Sequence, residues 1–302
     1  MMSDITVIGL GAMGSALAAT LIKHGLKVTV WNRSADKAAA LIERGAQQAK
    51  SIQDAITASP VILVSVLDYP AARHILEQAT QVLSGHTLIN LTNGTPDQAR
   101  TMADWVTAQG ADYVDGAVMV TPELVGGTAA FLFYSGNELA FRQHERTLAL
   151  LGNPVYIGNN VALAAIYDLA LLASMFGMFG GYLHAAALLR SENISVTEVA
   201  PMIMSLLKAM IELYPDIAEQ VDTGAQPTPS SNNAMMAVAL KNIIDGSREQ
   251  GVLDELMVPV WSLFERGTRQ GLGAQDIAAL VPLLARDASL APSTHTPSME
   301  PA

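Results

Sequence analysis

Cysteine is absent from this chain of 302 residues. That excludes disulfides, thiolate nucleophiles and cysteine-ligated metals. Charge is sparse as well: only 15% of residues are Asp, Glu, Lys or Arg, and 17 basic side chains face 28 acidic ones, for a net charge of −11. Such a deficit of positive charge argues against a general attraction to nucleic acid or an anionic membrane, so an anionic ligand has to be held by local donors. Histidines 24, 74, 86 and 144 fall in helical or surface contexts without metal-ligand spacing, and no metal site is expected. No internal repeat is evident. An apolar strand begins almost at once, at Ile5, leaving no room for a basic, apolar and cleavable signal, and a cytoplasmic location is the default expectation. What the chain does have is apolar bulk: 50% hydrophobic residues over a length that usually makes two domains.

The strand from Ile5 leads through Gly9-Leu10-Gly11-Ala12-Met13-Gly14 into an amphipathic stretch and a second strand ending Val30-Trp31-Asn32-Arg33-Ser34. In a dinucleotide fingerprint the first glycine permits a tight turn, the second admits the pyrophosphate to the backbone, and the third lets helix and strand pack closely. The helix N-terminus then faces the phosphate charge. An Asp or Glu at the end of the second strand would bind the ribose 2′-hydroxyl. Asn32, Arg33 and Ser34 instead offer donors and positive charge to a 2′-phosphate, which selects NADPH over NADH. Lys37, one helical turn further, has two readings, a point charge on the same phosphate or a solvated surface lysine.

Alternation of strands and helices continues to about residue 158. Residues 61–66, 87–91, 113–118, 129–134 and 155–157 read as strands, with helices over 70–81 and 96–109 between them. The expected fold is α/β: a Rossmann-type doubly wound sheet over 1–160, followed by a long interdomain helix over 161–190, an all-α dimerisation and substrate domain over 191–288, and a disordered tail over 289–302. Ligands of such sheets lie beyond the carboxyl ends of the strands, which places Val66, Leu67 and Asn93 beside the cofactor. Asn93 also has the plainer reading of a turn residue before a helix capped by Thr95.

From Val161 to Leu189 the chain is almost wholly apolar and long enough to span a membrane. A carboxylate near its start and the lack of flanking Lys or Arg clusters argue against that. A helix apolar on every side must still be buried on every side, and an intertwined homodimer is the expected cover. Asp168 stands inside this helix, where propensity gives no reason for an Asp and an unpaired buried carboxylate is costly. Leu172, Met175 and Phe179 share its side at offsets of four, seven and eleven residues. Tyr167 points elsewhere, and His184 lies about 160° away around the axis. Either Asp168 is catalytic, or it is structural and paired with a hidden Tyr, Arg or backbone group.

With these segments in place the chain resembles the imine reductases, a branch of the β-hydroxyacid dehydrogenase superfamily, through Val7-Ile8-Gly9-Leu10-Gly11-Ala12-Met13-Gly14, Val30-Trp31-Asn32-Arg33-Ser34 and the segment Gly158–Leu172. The resemblance implies that Asp168 is the family's acidic residue. Hydroxyacid dehydrogenases carry a lysine in the corresponding part of this helix; here no lysine occurs between Lys50 and Lys208. An acid suits a nitrogen centre better than an alcohol-carbonyl pair. The hydroxyacid enzymes also have a glycine-rich carboxylate-binding segment where this chain has Asp115–Pro122, and Val118 and Met119 offer apolar side chains instead. With Leu172, Met175, Phe176 and Phe179 they imply a greasy pocket. Met235 and Met236 match the family segment by which the partner subunit closes that pocket, although core packing is an equally good reading. The implied function is NADPH-dependent reduction of imines, cyclic ones foremost, with reductive amination in some members. The alternatives are a β-hydroxyacid dehydrogenase and a non-catalytic NADP-binding regulatory protein. The implied partners are a small apolar imine or amine and a second subunit sharing the active site, with neither nucleic acid nor membrane.

Overall fold

The computed structural model describes residues 2–285; the predicted tail over 289–302 lies outside them. Two compact units result, the first covering residues 1–174 and the second beginning at Met175.

The first unit is built on one eight-stranded sheet in the order β3-β2-β1-β4-β5-β6-β7-β8. Its strands are β1 (Ile5–Ile8), β2 (Val28–Trp31), β3 (Gln47–Gln48), β4 (Val61–Val64), β5 (Thr87–Asn90), β6 (Asp112–Val118), β7 (Phe131–Gly136) and β8 (Asn153–Tyr156). All neighbouring pairs are parallel except the antiparallel β6 and β7. The helices are α1 (Ala12–Lys23), α2 (Ala39–Ile42), α3 (Ile52–Thr57), α4 (Tyr69–Glu77), α5 (Pro96–Ala108) and α6 (Glu138–Leu148), followed by the long α7 (Leu163–Ser191), which crosses from the first unit into the second. Alternate residues of β1 serve two separate cores: Ile5 and Val7 pack with Leu17 and Leu21 of α1, and Ile8 packs with Ile62, Leu76 and Leu88. Thr6, buried among them, is satisfied by Ser59 and the Ala55 carbonyl.

Several boundaries differ from those read in the sequence, for physical reasons. The strand pattern predicted over 61–66 and 87–91 stops at Val64 and Asn90, where the chain leaves the sheet toward the ligand side. β3 is two exposed glutamines on the sheet edge, with no apolar alternation to betray it. The first unit also includes the opening turns of α7, because Ala164 and Ala165 are buried against β6, β7 and α5 residues. The Ala164 N–H donates to Ser135 Oγ, whose hydroxyl donates to the Val161 carbonyl.

The second unit contains the rest of α7 with α8 (Val196–Ile211), α9 (Tyr214–Thr223), α10 (Asn233–Glu249) and α11 (Val258–Gly267). Asn232 caps α10, and the fully buried Asn233 donates to the Leu272 and Asp276 carbonyls. His184 of α7 lies 2.9 Å from Ser247 Oγ of α10; since that serine donates to the Ile243 carbonyl, it accepts from His184 Nε2. His184 is thereby a structural link between two helices. The loop predicted over 222–231 separates α9 from α10.

Gly9, in the turn after β1, and Gly14 of α1 carry the tightest contacts. Gly9 adopts a φ of +95°. A Cβ on Gly14 would lie 1.9 Å from the Gly9 carbonyl oxygen, whereas one on Gly11 would meet nothing within 4 Å. Gly14→Ala is therefore expected to destabilise the fold by about 1–3 kcal/mol in denaturant titrations, while Gly11→Ala stays within about 0.5 kcal/mol of the parent.

Candidate active site

A groove of about 740 Å³ opens at the carboxyl ends of β1, β2 and β4. Gly9, Gly11, Met13 and Gly14 form its floor, Asn32, Arg33, Ser34 and Lys37 one rim, and Val66 and Leu67 a further wall. These are the cofactor residues read in the sequence, Asn93 excepted. Gly11 stands at the start of α1 with no side-chain cap and no acid in the first turn, so the helix presents free N–H groups to an anion. By contrast Asp68 caps α4, and Thr95 with Gln98 closes a capping box on α5. Asn32 holds the turn together: its Oδ1 accepts the Leu10 N–H at 3.0 Å and its Nδ2 donates to the Ser34 carbonyl at 3.1 Å. Arg33 and Lys37 are exposed and form no ion pair among the described residues. An open α1 N-terminus, room over Gly11 and two cations where a ribose acid would otherwise stand fit NADPH. Ser65, at the end of β4 beside Val66, lines the groove as well; His74 and Gln78 also line it and were not legible, because α4 reaches it only through the tertiary fold.

Beside the groove lies the acid. Asp168 is 6% exposed, and its Oδ2 accepts a hydrogen bond of 2.5 Å from Asn93 Nδ2. Burial pushes this carboxyl above the ordinary carboxylate range, and the Asn93 hydrogen bond opposes that rise. Asn93 thus does more than shape the turn before α5: it is the donor that Asp168 requires, where a Tyr, Arg or backbone group was anticipated. The loop holding it touches the groove wall, since the Val66 N–H donates to Thr92 Oγ1 at 3.3 Å.

The apolar residues assigned to a substrate pocket are distributed. Leu172 is half-buried one turn beyond Asp168. Val118 packs against the core that includes Leu17, and Met119 against the separate cluster of Ala117, Phe133 and Ala164, so the two are not side by side. Met175, Phe176, Phe179, Met235 and Met236 belong to the second unit, where Phe176, Phe179 and Met235 are 63%, 46% and 57% exposed. Asp115, passed over in the sequence as part of an apolar segment, is a buried carboxyl pushed up to about 7 by its burial, while hydrogen bonds from Tyr69 and Tyr113 pull the other way. No group of three or more His, Asp or Glu side chains placed to hold a metal occurs among the described residues.

A Rossmann sheet whose second strand is followed by Asn-Arg-Ser, with an acid and an amide paired beside the groove, defines an NADPH-dependent oxidoreductase. Comparison with known proteins narrows the class. Residues 4–161 match the NAD binding domain of 6-phosphogluconate dehydrogenase, and residues 160–286 match the NADPH-dependent reductive aminase-like C-terminal domain. The chain is 40% identical to the NADPH-dependent reductive aminase of Aspergillus oryzae over 93% of its own length and 97% of that protein's. A reductive aminase from Aspergillus terreus, in complex with NADPH and ethyl-5-oxohexanoate, superposes with a TM-score of 0.91 at 42% identity, covering 94% of this chain and all (100%) of that one. An imine reductase from Myxococcus stipitatus in complex with NADP+ gives 0.90 at 31% identity, covering 93% and 100%. The chain belongs to the reductive aminase and imine reductase family.

Arg33→Ala is expected to weaken NADPH binding roughly 10- to 100-fold, the value of a lost charge-assisted contact of about 1.5–3 kcal/mol. NADH affinity, measured by the same fluorescence titration, should change by no more than about twofold, because NADH has no 2′-phosphate to lose.

Proposed function

We propose that this protein reduces C=N bonds with NADPH, acting on imines and on imines formed from a ketone and an amine. The observation that carries the reading is the hydrogen bond between Asn93 and a buried acid, Asp168, in the NADPH unit of this family. Bound NADPH supplies the hydride, which goes to the imine carbon. Asp168 meets the nitrogen. Its Oδ2 is occupied by the Asn93 amide, which leaves Oδ1 to face substrate. Burial holds the acid's proton to higher pH than a free carboxylate would, and the same low-dielectric setting strengthens its attraction to a positively charged nitrogen. The turns of α7 next to it, Leu163 to Met175, hold no Lys, Arg or His to bind a carboxylate, which suits an imine better than a hydroxy acid.

The assembly proposed with this activity is an intertwined homodimer. Within the second unit α7 leaves Phe176, Met178, Phe179 and Leu183 exposed, α8 leaves Met202 and Leu206, and α10 leaves Met235 and Val238. An apolar surface of this extent, on a helix otherwise long enough to cross a membrane, calls for a cover. A second copy of the same surface supplies one by self-complementarity. A cytoplasmic location is proposed with it, since the enzyme draws on NADPH.

Two measurements test the reading. Asp168→Asn keeps the size of the side chain and loses its proton and charge, so turnover of a cyclic imine should fall roughly 10²- to 10⁴-fold with NADPH affinity unchanged. An Asn variant with full activity, or oxidation of 3-hydroxy acids without imine reduction, overturns it. Asn93→Ala removes the hydrogen bond that lowers the Asp168 pKa. The limb of the pH–rate profile governed by Asp168 should therefore move to higher pH in that variant. For the assembly, sedimentation should give twice the chain mass, and Phe176→Glu with Leu183→Glu should yield monomers.

A further inference from the structure

Besides Asp168, the first unit buries a second carboxyl that the proposed chemistry does not use. Asp115 of β6 is 1% exposed, and its Oδ1 accepts two phenol hydrogen bonds, 2.6 Å from Tyr69 and 2.7 Å from Tyr113. Apolar packing alone gives no reason for a carboxyl here, because burying one is costly even when paired. Both arms of the network end on the same short loop.

Through the first arm, the ring of Tyr69 is pressed onto Gly94: a Cβ there would lie 2.3 Å from Tyr69 Cδ2. Through the second, Tyr113 Oη accepts from Asn90 Nδ2 at 3.1 Å, and Asn90 Oδ1 accepts the Thr92 N–H at 3.2 Å. Register reinforces this, since Asn90 and Asp115 are direct partners across β5 and β6. The residue between Thr92 and Gly94 is Asn93, whose amide holds Asp168. Asn93 itself is exposed and has no core packing of its own to fix it.

We propose that Asp115 is a positioning residue for the Asn93–Asp168 pair: through Tyr69 and Tyr113 it clamps the loop on both sides of Asn93 and so sets the amide against the acid. The inference rests on the assignment of that pair to catalysis. Protonated or ionised, Asp115 retains an acceptor oxygen, so the clamp survives titration of the carboxyl, which burial pushes up to about 7.

A double-mutant cycle separates this from a purely structural role. Tyr69→Phe keeps the ring and deletes only the hydroxyl. It should lower kcat for a cyclic imine about 10-fold, as expected for a slightly misplaced catalytic group, with the NADPH dissociation constant and the imine KM within about twofold of the parent. In an Asn93→Ala background the same change should cost less than about twofold, because the group through which Tyr69 acts is gone. Tyr113→Phe cuts the other arm, should behave alike, and decides the matter if Tyr69→Phe does not fold. Asp115→Asn keeps the acceptor and should retain kcat within about threefold, whereas Asp115→Leu should lose about 10-fold. Equal loss in both backgrounds, no loss in the parent background, or an Asn variant as slow as the Leu variant overturns the proposal. Full activity of Asn93→Ala alone would instead overturn the catalytic assignment of the pair.

Discussion

A carboxylate carried inside an apolar helix has to find a donor, and the first unit is arranged around meeting that need for Asp168. The donor does not come from α7, where Ile166, Leu169 and Leu172 have none to give and the ring of Tyr167 packs on Phe133. It comes from the loop after β5, at the carboxyl end of that strand. One hydrogen bond thus joins residues 75 positions apart, and it lies next to the groove wall formed by Val66. The opening of α7 is itself buried against β6 and β7 through Ala164 and Ala165, which brings the acid to this place.

The cofactor groove works on a complementary principle, in which groups are left unsatisfied. α4 and α5 close their first turns with Asp68 and Thr95, but α1 begins at Gly11 without a cap. An open helix N-terminus in a chain of net charge −11 is a local exception to a surface that otherwise repels anions. Arg33 and Lys37 extend that exception at the rim. Close contact between Gly14 and the Gly9 carbonyl brings the helix end against β1, so packing and anion recognition depend on the same few residues.

The second unit reverses the usual relation of surface to core. Two of its buried polar groups tie helices and turns together, with Asn233 joining α10 to the Leu272 and Asp276 carbonyls and His184 joining α7 to Ser247. Its apolar side chains, by contrast, stand largely outside: Phe176, Leu183, Met202 and Leu206 are each more than 60% exposed. A unit that leaves so much apolar area uncovered has its stability tied to what covers it.

How much of this was legible in the sequence follows from how local each cause is. The glycine turn, the basic end of β2 and the conflict posed by Asp168 are properties of short segments, and each could be read from spacing and residue chemistry alone. β3 could not, since two exposed glutamines on a sheet edge carry no apolar period. Asp115 left a signal in the sequence: an acid in the middle of a strand, flanked by Val114 and Gly116. The partner of Asp168 left none, because Asn93 is as well suited to a turn as to a hydrogen bond, and only the folding of β5 beside the start of α7 brings them within 2.5 Å. The sequence by itself determined the cofactor, the alternation of strands and helices and the presence of an acid seeking a partner, since these depend on neighbours along the chain. The tertiary structure alone decided which amide answers that acid and what holds the amide still, since hydrogen bonds between distant segments depend on where the backbone brings them.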